Sequence, residues 1–283
     1  MKAARPQSGF TLIEMLLVIA ILGILAGLAV PALKNLGKSN VNVSAARQLL
    51  DDVGRARQLA IANRTTVYMV FLPTNFWTIP PPNLNTWLNT LNPATRTIVT
   101  NLVDKQLTGY TFISSGAVGD QPGRHTTNYL ASWQSLPDGT FIAAQKFLLP
   151  GSPLLPFYIA PWQNDYKGGV NFSIAPFTNY VAVPFPTATN APVYLPYIAF
   201  DYSGRLISEL DASGNYHDAY IPLAKGSVNY GHDPTTKLPQ LTTVNPAGVH
   251  ETPVGNSTDI SYNVVHVDAL TGRATMEFHK MLP

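Results

Sequence analysis

The sequence predicts an α+β fold, with one long N-terminal helix packed on an antiparallel, β-rich C-terminal domain. Three observations predict it. From Met15 to Leu33 there is no charged residue, and a second helical pattern follows directly. After Arg64 the apolar period changes from helical to extended. The 283 residues include 24 Pro and 20 Gly but only 12% charged residues, a composition that suits turns and short strands better than helices. The chain has no cysteine, which excludes a disulfide framework, a thiolate metal site and a cysteine nucleophile.

The N-terminal segment comes first. Residues 1–9 are polar and carry Lys2 and Arg5, which favour a cytoplasmic start. The small residue Gly9 stands before the apolar run, not beyond it as at a secretory cleavage site. A cut after Gly9 therefore leaves the apolar helix on the mature chain. Residues 10–37 are long enough for a transmembrane helix, since about 20 residues span a hydrocarbon core. One acid, Glu14, sits in its first turns. A carboxylate at membrane depth costs about 2.5–3.5 kcal/mol and calls for a partner, unless it snorkels to the headgroups. Nothing within the apolar run can pair with it. Pro31 lacks a backbone donor and should kink the helix or locally melt it. Gly37, Ser39 and Asn40 make a second soft point.

Residues 38–64 continue as an amphipathic helix. Ala46, Leu49, Leu50, Val53, Ala56 and Ala60 recur at helical spacing and form one apolar stripe. Arg47, Asp51, Arg55 and Arg57 supply its polar flanks, and the diluting acids favour a solvated flank over a phosphate site. The β-rich domain spans 65–283, with an irregular insertion expected at about 73–196 that includes Pro80-Pro81-Pro82 and a short helix. Strand candidates are 66–72, 110–114, 140–144, 169–174 and 181–183. Two hairpins follow, over 197–207 with a turn at Ser203-Gly204, and over 264–276 with a turn near Thr271-Gly272.

The stretch GFTLIEMLLVIAILGILAGLAVP, residues 9–31, resembles the N-terminal segment of type IV pilins and type II secretion pseudopilins. The matching residues are Gly9, Phe10, Thr11-Leu12-Ile13, Glu14 and Pro31. The ARQLL…RARQLAI pattern of the helix and the Gly-Arg pair after each hairpin turn look most like the H-type minor pseudopilins and related minor pilins. The likeness covers residues 8–72, 197–209 and 263–278, whereas 73–196 departs from that family's compact size. It implies a pilin-like fold, cleavage after Gly9 by a prepilin peptidase, and N-methylation of Phe10. It also implies that Glu14 pairs with the N-terminal amine of a neighbouring subunit. The implied partners are other pilin or pseudopilin subunits, the peptidase, an inner-membrane assembly platform and the lipid bilayer. The mature domain would lie in the periplasm and then in a periplasmic or surface filament. The bulk of 73–196 points to a minor subunit, and the presence of Glu14 to a place below the filament tip. Secretion pseudopilus and pilus remain open alternatives.

A search for chemistry finds little. His125, His217, His232, His250, His266 and His279 have no H-E-x-x-H or related metal spacing. His266 falls within a strand pattern and reads as a satisfied strand histidine. There is no G-x-S-x-G elbow, P-loop or G-x-G-x-x-G. Asp211–Asn215 is a plain turn, lacking the acids of a calcium loop. No cofactor, metal or enzymatic activity is expected. Residues 65–283 carry ten basic and 13 acidic residues, which argues against nucleic acid as a partner. An assembly subunit is therefore the leading reading. A filament-borne module that recognises exported protein, a surface or DNA is the alternative.

Overall fold

The computed structural model describes residues 12–74, 76–78, 84–116, 126–147, 165–167, 170–172, 176–177, 179–208, 216–236, 239, 247–256 and 261–280. At 26–40, 78, 165–167, 170–172, 261–262 and 279–280 only the backbone is described. The chain forms two compact units, Met1–Val41 and Asn42–Pro283. Helix α1, Leu12–Asn63, contributes residues to both. The kink expected at Pro31 and the soft point near 37–40 fall where only the backbone is described, and that backbone is helical throughout.

The second unit begins with the amphipathic part of α1, rich in the strong helix formers Ala, Leu, Arg and Gln. Ala45, Ala46, Leu49, Val53, Ala56 and Ala60 are completely buried. Leu50, expected in the stripe, packs at its edge and Ala45 joins it instead. Four alanines in that face let the helix backbone come close to the sheets. The helix stops at Arg64, which takes a left-handed φ of 48°, and Thr65 N–H closes back on the Ala60 carbonyl at 3.3 Å.

Strand β1 (Val67–Phe71) leads through a 3₁₀ turn (Phe76–Thr78) to helices α2 (Leu84–Thr90) and α3 (Pro93–Val103). Then follow β2 (Gly109–Ser115), β3 (Thr127–Tyr129), β4 (Gln134–Ser135), β5 (Thr140–Ile142), β6 (Asp165–Lys167), β7 (Val170–Phe172), β8 (Tyr180–Pro184) and β9 (Pro192–Phe200). The last strands are β10 (Ala219–Asn229), β11 (Gly248–Glu251), β12 (Ser261–Val267) and β13 (Ala274–Lys280). One sheet has the order β3-β2-β1-β9-β8, with β4 also on β2. The other has the order β11-β10-β12-β13, with β5 on β10, while β6 and β7 pair separately. All the pairings are antiparallel.

Central strand β1 is buried on both faces. Met69 lies opposite Phe112 and Ile198, and all three join Val67 and Phe71 in the core under α1. Val70 and Leu72 point the other way, into a second core with Phe76, Trp77, Trp87, Val99, Leu102 and Phe185. That second core needs a cover, and α2 and α3 supply it. Asn92 caps α3 by accepting from Thr95 N–H at 2.8 Å, with Pro93 at the first helical position. So the described part of 73–196 is not only irregular chain: it holds two helices and the strand β2 beside β1.

A polar lock ties α1 to the first sheet. The Tyr110 hydroxyl donates to Asp52 Oδ2 at 2.5 Å, and Gln48 Nε2 donates to the Tyr110 oxygen at 2.7 Å and to the Ser135 carbonyl at 3.0 Å. Burial raises the Asp52 carboxyl above its ordinary range, although the Tyr110 bond and Arg55 pull it down.

Two matched turns form a second tie. In one, Asp201 Oδ1 accepts from Ser203 N–H at 2.9 Å, the Ser203 hydroxyl at 2.7 Å and Arg205 N–H at 2.9 Å. In the other, Asp268 Oδ1 accepts from Thr271 N–H and its hydroxyl, both at 2.7 Å. These Thr271 bonds hold the Asp268 carboxyl below its usual range. Gly204 and Gly272 take φ of 83° and 62°. The turns abut so closely that a Cβ on Gly272 would lie 2.0 Å from the Gly204 carbonyl oxygen. Arg57 Nε donates to both turns, to the Thr271 carbonyl at 2.7 Å and the Gly204 carbonyl at 3.2 Å. Arg55 lies over the Phe112 ring at 5.8 Å. Of the residues expected as a solvated flank, Arg47, Asp51 and Arg55 are exposed, whereas Arg57 is half-buried and ties the helix to the β domain.

The strands expected in 66–72, 110–114, 140–144, 169–174 and 181–183 are present, most of them with shifted ends. The 264–276 hairpin is β12–β13. The 197–207 hairpin has only one full arm. After the turn a single bridge joins Phe200 and Leu206, flanked by Asp201 N–H to the Arg205 carbonyl at 3.0 Å and Ile207 N–H to the Ala199 carbonyl at 2.9 Å, while Leu206 N–H donates on its other edge to the Ala269 carbonyl of the other turn at 3.1 Å. Strand β10 escapes the sequence pattern because Pro222 and Gly226 interrupt it. It holds together by changing partners along its length, from β12 to β5 to β11.

Arg57→Ala should lower stability by about 2 kcal/mol, the usual cost of losing a charge-assisted hydrogen bond. Gly272→Ala should cost more, since its Cβ meets backbone at 2.0 Å. Thermal melts of the full chain in detergent micelles check both, and Gly272→Ala melting above Arg57→Ala would contradict the packed-turn account. Asp52 gives a pH test. Its folded carboxyl holds a proton to higher pH than the unfolded one. Its stabilising contribution is therefore complete below the unfolded value and is lost as pH rises through the folded one. Asp52→Asn keeps an acceptor for Tyr110 but does not titrate. It should gain stability relative to the parent as pH rises from 3 to 7, read as the difference in urea midpoints, and a pH-independent difference would refute the assignment.

Candidate processing and assembly segment

The first part of α1 is built unlike any other described element. Every large apolar side chain from Leu12 to Leu25 is exposed, from 46% at Val18 to 84% at Leu12. The exposed residues Leu12, Ile13, Leu17, Val18 and Leu22 point around the whole circumference, so this helix has no polar face. A helix that is apolar all round must be covered by lipid or by other apolar chains. Among the described residues no helix is long and apolar enough to cross a membrane. The span expected over 10–37 extends beyond the side chains described, which stop at Leu25 and resume at Val41.

Glu14 is exposed and stands in the first turn of α1. An acid in the first turn of a helix stands near the positive end of its macrodipole. That field stabilises an anion by about 0.3–1 kcal/mol and offsets part of the cost of an acid in an apolar helix. Gly9 and Phe10, the expected cleavage and methylation positions, lie outside the described residues. Pro31 lies within the helix with its side chain outside them.

Sequence reasoning named no site on the globular domain, but one polar cluster is compact there. His266 Nε2 is 2.8 Å from Asp218 Oδ2 and Nδ1 is 2.8 Å from Glu277 Oε1. Its ring stacks on Tyr220 with centroids 4.6 Å apart. Asp218 Oδ1 also accepts from Ala269 N–H at 2.8 Å, which pins the second turn. Burial, then the Asp218, Glu277 and Asp268 charges, pushes the Tyr220 hydroxyl up to about 12. Both ring nitrogens of His266 face carboxylates, so neither is turned toward a shared metal. The histidine is a satisfied strand residue. Among the described residues no group of three or more His, Asp or Glu is placed to hold a metal ion. The Asp211–Asn215 turn lies outside the described residues. The sequence signal for the cluster was present, since His266 and Glu277 fall on paired strands, but Asp218 is remote in sequence.

Residues 4–30 match the family model of the prokaryotic N-terminal methylation motif, a stretch that contains Gly9, Phe10 and Glu14. No curated protein and no solved structure matches the chain. The matched motif is that of a prepilin-like substrate, and it supports a type IV pilin-like family for this chain.

Proposed function

We propose that this chain is a pilin-like subunit. The first part of α1 anchors it in the inner membrane, with the leader cytoplasmic and the β domain periplasmic. A prepilin peptidase cuts after Gly9 and methylates Phe10, and an assembly platform draws the chain out of the bilayer into a filament. The observation that carries this reading is an all-round exposed apolar helix with Glu14 in its first turn, inside a matched methylation motif. Lipid covers such a helix before assembly and the helices of neighbouring subunits cover it afterwards. In the filament each new N-terminal amine enters an apolar bundle, where an unpaired charge costs several kcal/mol. The carboxylate of a neighbour removes that cost and fixes the axial register. The same physics serves a type II secretion pseudopilus and a type IV pilus. We read the chain as a minor subunit, of the H-type in a pseudopilus, placed below the tip. The support is the bulky globular domain and the presence of Glu14.

Processing is tested by the intact mass of the chain recovered from membranes. The mass should correspond to a chain that begins at Phe10 and carries one methyl group, and Gly9→Val should restore the full leader. A wild-type chain that keeps residues 1–9 beside an active peptidase would overturn the reading. Assembly is tested separately. Glu14→Val should be cut and inserted normally but should fall at least tenfold in sheared filaments, a loss of about 1.4 kcal/mol in partitioning. Incorporation at the wild-type level would show that Glu14 does not pair between subunits. The wild-type abundance in the same preparation tests the minor role, because a dominant chain would be a major subunit.

A further inference from the structure

A cavity of about 460 Å³ opens between the end of α3, the β3–β4 segment and the β8–β9 turn. Ile98, Leu102, Tyr129, Trp133 and Pro186 are among the residues of its wall, and Lys105 is the single formally charged residue in the lining. We propose that this cavity binds a small amphipathic organic anion, with an apolar body against Trp133 and Tyr129 and its anionic group on Lys105. The volume falls in the range of small-molecule pockets. The two rings are fixed in place. Trp133 Nε1 donates to the Pro186 carbonyl at 3.1 Å, and the Tyr129 hydroxyl donates to the Pro184 carbonyl at 2.6 Å. Trp133 also packs edge-on against the buried Phe185 ring, with centroids 5.4 Å apart. Little ring ordering is therefore left for a ligand to bring about.

The same bonds decide the ligand class. The ring donors that would read a peptide main chain are already used inside the wall. Thr187 is also occupied, donating to Asn190 Oδ1 at 2.6 Å. The cavity is lined by aromatic and aliphatic residues together with Asn101, Ser132 and Lys105. The neighbouring acid, Asp104, pairs with His232 Nε2 at 3.1 Å. Among the described residues Lys105 makes no ion pair. Such a wall complements an aryl or branched-alkyl carboxylate or sulfonate.

The test is calorimetric titration of the full chain in detergent micelles with 2-naphthoate, against the same titration into empty micelles. One saturable site is expected, with a Kd on the order of 0.1 mM, ordinary for so small a ligand. Lys105→Gln should weaken it about tenfold. The uncharged 2-naphthamide should bind the wild type and Lys105→Gln equally weakly. Ala188→Trp, which fills the mouth from an exposed position, should abolish binding while leaving the melting temperature unchanged. Heat no different from that of empty micelles, equal affinity in wild type and Lys105→Gln, or wild-type binding by a folded Ala188→Trp would each overturn the proposal.

Discussion

A sheet that is apolar on both faces needs two covers, and the whole second unit follows from that requirement. Strand β1 and the residue after it send Val67, Met69 and Phe71 to one side and Val70 and Leu72 to the other, and all five are completely buried. Residues of alternate parity on one strand cannot share a face. One side is closed by α1 and the second sheet, the other by α2, α3 and a cluster of aromatic rings. Phe76 packs at 5.0 Å from Phe185 and 6.1 Å from Trp87, and Trp133 joins the same group. Aromatic pairs at these spacings contribute about 0.5–1.5 kcal/mol each beyond their burial. The Pro-rich composition of this region is compatible with such a core because ring packing, unlike a strand ladder, does not need the backbone donor that proline lacks.

The helix-side core is directional because polar contacts set its register. An alanine-rich face slides easily along a sheet, since small side chains interlock weakly. Gln48 and Asp52, one turn apart, meet Tyr110 at the level of β2 and β4. Arg57 meets the Gly204 and Thr271 carbonyls about one to two turns further on. Two fixed points along one helix define both translation and rotation. The Arg57 bond also explains why the two turns are alike. Each turn offers a carbonyl because its leading aspartate has taken up the local hydroxyl and N–H donors, Ser203 in one and Thr271 in the other.

The readable parts of the sequence were those whose signal is local. The stripe from Ala46 to Ala60, the β1 run and the β12–β13 hairpin each carry their own period, and each formed. The pairing of Gly-Arg turns was visible as repetition, but not the reason for it, which lies in Arg57 on a distant element. Helix α3 had a legible start in Asn92-Pro93, obscured by a neighbourhood rich in Asn, Thr and Pro. Strand β10 had no legible period, because Pro222 and Gly226 interrupt it. The Lys105 cavity could not be read from sequence at all. Its lining comes from residues 98–105, 129–133 and 186–188, and only folding brings them together.

The two faces of the first sheet also separate two kinds of interaction. Residues 42–63 of α1 lie on the face of Met69 and Phe112, whereas Leu102, Tyr129 and Trp133 lie with the core of Val70 and Ile113. A ligand held by Lys105 thus touches none of the side chains that fix α1. Coupling between the two has to pass through the sheet, where Tyr110 and Ile113 occupy opposite faces of the same strand β2. Filling a preformed cavity moves little backbone, so little strain reaches the sheet. The α3 face can therefore bind a small ligand without altering how α1 is held, and the two surfaces are free to act independently.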